Sequence, residues 1–383
     1  MAKSITLIAG LAALFMLFPT EAQALADGMI DVTTFGAKPD GVTDDTAALR
    51  SAAAAVPPIG AVLLFPKGTY LIKGTIYLKS HTHVEGKDAT LRAAVPWHYD
   101  FDWGGALLEN VNHAADRVTD TDISVNRMTF DYGDVAPVHL PKGGKHAVRF
   151  TFASDIAVTN NVFKLRGSED AVAGIAVVNM RVQGNSAYEF RNCGYDFWGA
   201  STNVRIYENY AETEKSAQMV NFNPEFGWPG DSAKGLVAKG LVMTGNKFVT
   251  TGPSATPILI APLGPGTAVR DVLVANNTLI NTSLVVRGDI KGAVVSGNTL
   301  TDVAGGGSAY TSYPINGGMP DSIICSYNRI VNPQTKPFEV GVLRMQAQNS
   351  YVIGNSITGS NYTAAALYHG AFNVTQVGNT VEK

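Results

Sequence analysis

Only two cysteines, Cys193 and Cys325, occur in 383 residues, too few for a framework of disulfides to stand in for a hydrophobic core. Charge is scarce too: charged residues make up 16% of the chain and sum to −3 at neutral pH, which removes the basic footprint of a nucleic-acid partner. Hydrophobic residues reach 45%, enough for a sizeable core, so disorder is excluded. Beyond the N-terminal segment no apolar run is long enough to cross a bilayer. Helical periodicity is also missing from most of the chain, which excludes leucine-rich, ankyrin and TPR repeats.

The N-terminal segment has its own logic. Lys3 precedes an apolar run from Ile5 to Phe18, then Pro19 and a small-residue site at Ala22-Gln23-Ala24. This is the three-part layout of a secretory signal peptide over residues 1–24, with cleavage after Ala24 or Ala26. The run is shorter than the ~20 residues a spanning helix needs. The mature chain is therefore expected to be secreted or periplasmic and free of the membrane once cleaved.

What the sequence has in abundance is a short recurring pattern. An apolar alternation is followed by Asn, one further residue and another apolar residue, as in "VRIYENY" and "AVVSGNTL". The asparagines are Asn161, Asn185, Asn209, Asn246, Asn277, Asn298, Asn328, Asn355 and Asn379, at steps of 24, 24, 37, 31, 21, 30, 27 and 24. A variable step with a floor of 21 means a constant rung carrying loops of different length. Short Val- and Ile-rich rungs punctuated by Asn and Gly describe a solenoid of strands. The fold class is thus all-β, a single-stranded parallel β-helix with rungs about 4.8 Å apart, and stacked Asn side chains are expected to form a ladder.

A solenoid must cover the open end of its core. Residues 43–56, "TDDTAALRSAAAAV", read as a capping helix with Thr43, Asp44 or Asp45 at its N-cap. Gly36 and Gly41 supply turns, and residues 61–78 the first strands around a Pro-Lys-Gly turn. The domain reading is one β-helix over 27–383, with a cap at 31–60 and rungs over 61–383. The acids of "FGAKPDGVTDDTAAL" are assigned to this cap, not to catalysis.

"DVTTFGAKPDGVTDDTAALRSA" followed by "LLFPKGTYLI" resembles the start of the pectate-lyase-like superfamily of right-handed β-helices, the rhamnogalacturonase and epimerase type included. The match is specific over about residues 31–91, and beyond it only the rung pattern continues. The resemblance implies a right-handed coil acting on, or binding, a polysaccharide. The family's catalytic motifs do not transfer: "SED" at 168–170 is not followed by Gly-His-Gly, and "GYDFWGASTNVRI" lacks the Asp-Pro-His of alginate epimerases. The architecture also places the two cysteines about five rungs apart, roughly 24 Å, beyond the ~7 Å reach of a disulfide.

Loop lengths locate a candidate site. Long loops with aromatics at 95–105, 131–146 and 221–235, the last holding Phe222, Phe226 and Trp228, flank two minimal rungs carrying "KLRGSEDAV" and "RNCGYDFWG". A short floor between aromatic walls suits a saccharide, whose rings stack on aromatic faces while carboxylates act on the bond. Glu169, Asp170 and Asp196 are the acid/base candidates; the structural alternative is that Asp170 or Glu169 caps a turn or pairs with Arg166. If Tyr195 and Phe197 face inward, Asp196 and Trp198 face the groove.

Lys164, Arg166, Arg191 and Lys215 form a cationic set able to neutralise a uronate, which would make the polymer acidic. Arg181 and Arg205 stack on an outer face. His146 is a candidate proton carrier, and His369 a weaker one. Glycoside hydrolysis leads. A lyase or C5-epimerase would use Lys164, Arg166 or Arg191 with Tyr195 or His146, and a polysaccharide-binding adhesin would use none of them chemically. The sugar platforms are Trp198, Phe226 and Trp228. No metal is expected from spacing; a lyase would call for Ca²⁺ held by Glu169, Asp170 and Asp196.

Overall fold

The computed structural model describes residues 28–98, 105–133, 146–214, 217–225, 235–304, 308–333, 342–359, 367–369 and 373–382. The chain coils as a right-handed parallel β-helix. A 25-stranded sheet covers two flanks, and an 11-stranded sheet forms the third. Every pairing between named strands is parallel and joins one rung to the next; Asp170–Ile175, for example, pairs with Cys193–Trp198 ahead and His146–Thr151 behind.

The site lies on the second sheet. Its first six strands that matter here are β1 (Ala106–Asn110), β2 (His146–Thr151), β3 (Asp170–Ile175), β4 (Cys193–Trp198), β5 (Gln218–Asn223) and β6 (Thr256–Ile260).

The asparagine ladder is present at every predicted position. The backbone N–H and side-chain amide of Asn161 both donate to Oδ1 of Asn185, at 2.9 and 3.0 Å. The same double bond links each successive member to Asn379. Each side-chain amide also reaches a backbone carbonyl one rung back, as Asn185 does to Val158 at 2.8 Å. The buried polar groups are therefore satisfied by their own repeat, which is why Asn recurs there.

The residue before each ladder asparagine is left-handed. Five are glycines (184, 245, 297, 354, 378), and Asn160, Glu208, Asn276 and Tyr327 take the same conformation at φ of 52–58°. Gly and Asn tolerate it best, which explains the Gly-Asn and Asn-Asn spelling of the repeat.

Inward side chains stack in files. Val125, Val158, Val182, Ile206, Met243, Val274, Val295, Cys325 and Val352 occupy successive rungs in register. Cys325 is an apolar filler in a valine file, Cys193 lies on the second sheet, and both thiols are free and buried. Phe130 and Phe163 stack at 5.1 Å in another file.

The cap is a helix, α1, but shorter than expected: Thr46–Ala54. Its buried Leu49, Ala52 and Ala53 close the core, and Lys79 Nζ donates to the Ala54 carbonyl at 2.7 Å. The N-cap is Asp45, but its side chain does not cap the helix. Its Oδ1 instead accepts the Lys38 N–H at 2.7 Å, while Asp44 Oδ1 takes the Thr46 N–H and hydroxyl. Asp40 accepts the Val42 and Thr43 N–H groups, and these bonds hold its carboxyl down at about 2. All three acids are consumed by the entry turn. At the Pro-Lys-Gly turn, Gly68 has φ +139°, and a Cβ there would lie 2.3 Å from the Pro39 Cβ, so the turn requires glycine.

Candidate active site

Alternation along β4 sends Tyr195 and Phe197 into the core, both essentially fully buried. Asp196 and Trp198 turn outward, as the sequence predicts. One outward file runs Glu109, Arg149, Ala173, Asp196, Asn221, Leu259 across β1 to β6. The first position of each strand makes a second file: Ala106, His146, Asp170, Cys193, Gln218.

Asp170 and Asp196 meet across these files. Their oxygens and the Cys193 sulfur lie within 4.8 Å of one another. Asp170 Oδ1 accepts the Cys193 N–H at 2.6 Å and the Asn192 amide at 2.9 Å. Its Oδ2 lies 2.7 Å from His146 Nδ1, without the alignment of a formed hydrogen bond. Asp196 Oδ1 accepts the Asn221 amide at 2.8 Å.

Burial decides the protonation here. It raises Asp170 to about 7, and burial together with the neighbouring Asp170 charge pushes Asp196 well above the ordinary carboxylate range. Two carboxyls this close in a dry site cannot both ionise. Burial, then the Arg149 charge, lowers His146 to about 3, so its ring is neutral. Arg149 is held by Glu109 at 2.7 Å, both buried.

A cavity of about 270 Å³ opens over this cluster, lined by Asn192, Cys193, Asp196, Trp198, Gln218, Asn221, Asn223 and Glu225. Asp196 forms part of its wall, whereas Asp170 is not among the lining residues and has no exposure. Asp196 is therefore placed to meet a ligand, and Asp170 is not.

Several expectations are corrected. Tyr195 is no proton carrier, because its hydroxyl donates to the Tyr210 carbonyl at 3.1 Å inside the core. Phe222 is likewise core, since the segment read as loop from 221 is strand up to Asn223. Arg166 is drawn to a different carboxylate: its Nε donates to Asp131 Oδ1 at 2.8 Å, and Arg92 shares that carboxylate.

Lys164 and Arg166 line a separate cavity of about 720 Å³, with Tyr188, Glu189, Glu212 and Glu214. The strand ahead of the turn carries them to another flank. Arg191 is exposed on the turn before β4 and is not in the cavity wall. His146 is buried beside Asp170 instead of standing on a loop. Glu169 is half-buried and outside the Asp170–Cys193–Asp196 group. Arg181 and Arg205 do stack in register on an outer face. Phe226, Trp228 and Lys215 lie outside the described residues, as do residues 1–24; no side chain is described for His369.

Calcium is poorly matched by what gathers here. It takes six to eight oxygen ligands, and the group offers two carboxyls that burial favours protonated, plus a thiol.

Sequence reasoning missed Asn221, Asn223 and Glu225. The alternation that placed Asp196 outward also places Asn221 and Asn223 outward once Phe222 is recognised as core. Glu225 is the second carboxylate of the cavity wall.

The family model for rhamnogalacturonase A/epimerase, pectate lyase-like proteins matches residues 29–223, half of the chain, and the chain belongs to that family. Among solved structures it is similar to a family 28 exopolygalacturonase of Yersinia enterocolitica, with TM-score 0.69 and 15% identity, covering 93% of this chain and 77% of that one. It is also similar to the A-module of a mannuronan C-5 epimerase of Azotobacter vinelandii, with TM-score 0.62, 14% identity and coverage of 92% and 98%. These likenesses share the fold. A curated relative, plasmin and fibronectin-binding protein A of Streptococcus pneumoniae, is 46% identical over 61 residues, or 15% of this chain and 8% of that relative's length.

Proposed function

We propose that this chain is an exported glycoside hydrolase that cleaves a polysaccharide lying along the second sheet, with Asp196 as general acid. The observation that carries the reading is the Asp196 carboxyl, set in a cavity wall and held protonated by burial and by Asp170. A glycosidase acid needs that raised pKa to protonate the leaving oxygen near neutrality. Glu225, on the same wall, is the carboxylate available to activate water, and Trp198 offers its face to a sugar ring.

Asp170 and His146 are positioning residues. His146 flanks one oxygen of Asp170 while Cys193 and Asn192 hold the other, which fixes the charge that tunes Asp196. Export rests on the signal-peptide pattern of residues 1–24. β-Elimination is less well served, because no Lys, Arg, His or Tyr is among the described lining residues to take a proton or neutralise a uronate.

The test is incubation of the protein and its Asp196→Asn form with pectic, alginate and neutral polysaccharides, following reducing ends and the ultraviolet absorbance of unsaturated uronate. Hydrolysis predicts reducing ends alone, lost in Asp196→Asn. Both signals together would establish a lyase, and binding with neither signal an adhesin.

A further inference from the structure

Resting on that reading, we propose that the subsite beside Asp196 takes an uncharged, hydroxyl-bearing sugar and rejects a uronate. Three observations converge on this. First, the described side chains of the cavity are four amides (Asn192, Gln218, Asn221, Asn223), one indole, one thiol and two carboxyls, with no cation among them. Second, Arg149, Arg166 and His146 are committed elsewhere or uncharged, and Arg191, exposed on the turn before β4, is not in the cavity wall. Arg149 is buried against Glu109, Arg166 is paired with Asp131 on another flank, and the His146 ring is neutral and buried.

Third, Asn221 donates its amide to Asp196 and keeps its own Oδ1 buried without a partner. A free buried acceptor requires a donor. A sugar hydroxyl supplies one; a uronate keeps such hydroxyls, and what excludes it is its carboxylate, an acceptor-only group that would meet Glu225 with no cation in the described wall. Asn192 and Asn223 already spend their amide hydrogens on Asp170 and Glu225, which leaves the Gln218 amide as a donor toward a neighbouring hydroxyl. This parts from the acidic polymer that Lys164, Arg166 and Arg191 suggested from the sequence.

The test uses matched oligosaccharides: uronates from pectic, alginate and glucuronan chains, and their carboxyl-reduced derivatives, identical except for a hydroxymethyl group in place of each carboxylate. Binding to the Asp196→Asn protein is measured by calorimetry, and cleavage by the unsubstituted protein is followed in parallel. At least one reduced oligosaccharide should bind about tenfold or more tightly than its uronate parent, since like charges brought together are strongly disfavoured. Gln218→Lys, which adds a cation to the wall, should erase most of that preference without changing the unfolding temperature by more than a few degrees.

Equal binding, preference for the uronates, or no binding in either series would overturn the proposal. The two readings fail separately. Tight binding of a reduced oligosaccharide with no reducing ends would sink hydrolysis and leave the subsite standing, while cleavage of uronates would do the reverse.

Discussion

The asparagine turn and the outward file of the second sheet sit on the same rungs and follow opposite rules. At the turn every rung repeats one residue, and each copy satisfies the next. On the second sheet the equivalent positions read Glu109, Arg149, Ala173, Asp196, Asn221, Leu259, and no rung repeats its neighbour. Repetition marks the positions that hold the coil together. Where the repeat is abandoned for buried carboxyls, as at Asp170 and Asp196, the side chains are costly to bury, and the proposed hydrolysis supplies a reason to keep them.

That contrast can be broken at either end. The largest expected effect is on the irregular side: Asp196→Asn should lower the rate of glycan cleavage by about 10²–10⁴-fold, the range of a lost general acid, with the fold retained in circular dichroism. On the regular side, Asn277→Ala removes bonds to Asn298, Met243 and Ala275 and strips Asn246 of its acceptor. It should cost roughly 3 kcal/mol in denaturant unfolding while leaving cleavage chemistry intact. Asn379→Ala, at the last ladder position, should cost about 1 kcal/mol; an equal loss at both positions would show that the ladder is not graded by its neighbours.

The buried pair beside Asp196 predicts a pH signature. Asp170 is raised from 3.8 to about 7, so its contribution to stability is whole below 3.8 and is lost as pH rises toward 7. His146 is lowered from 6.5 to about 3, so its contribution is whole above 6.5 and is lost as pH falls toward 3. Between 3.8 and 6.5 the two slopes oppose each other. Relative to the unsubstituted protein, Asp170→Asn should therefore lose thermal stability on acidification through this window, and His146→Gln should lose it on alkalinisation. Slopes of the same sign in the two variants would separate the pair. The smallest effect is reserved for Arg166→Ala: cleavage within about twofold and a stability change below about 1 kcal/mol, as befits a half-exposed ion pair.

The coil, its ladder and its cap were legible because each follows from a pattern a few residues long: apolar alternation, Asn after a left-handed residue, acids before an alanine-rich helix. Asp196 was legible for the same reason, through its inward neighbours Tyr195 and Phe197. The cations were misplaced because sequence proximity to Asp170 says nothing about which side of a turn a residue falls on. Lys164 and Arg166 precede that turn and face another flank. Glu109 escaped notice because the long loop 131–146 separates its rung from Asp196, and Arg149 because it lies two rungs before Asp196, directly after that loop; only the register across β1 to β4 aligns them. Glu225 was hidden by the misreading of Phe222 as a loop aromatic.

The variable step between ladder asparagines, from 21 to 37 residues, has a kinetic consequence. Each rung finds its partners in the immediately preceding turn of chain, so no contact in the ladder waits for a distant segment to arrive. The closing entropy of a loop grows only with the logarithm of its length, so the longest insertion delays its rung little more than the shortest. Once a few rungs exist, assembly advances along the chain as a front, each completed turn serving as the template for the next.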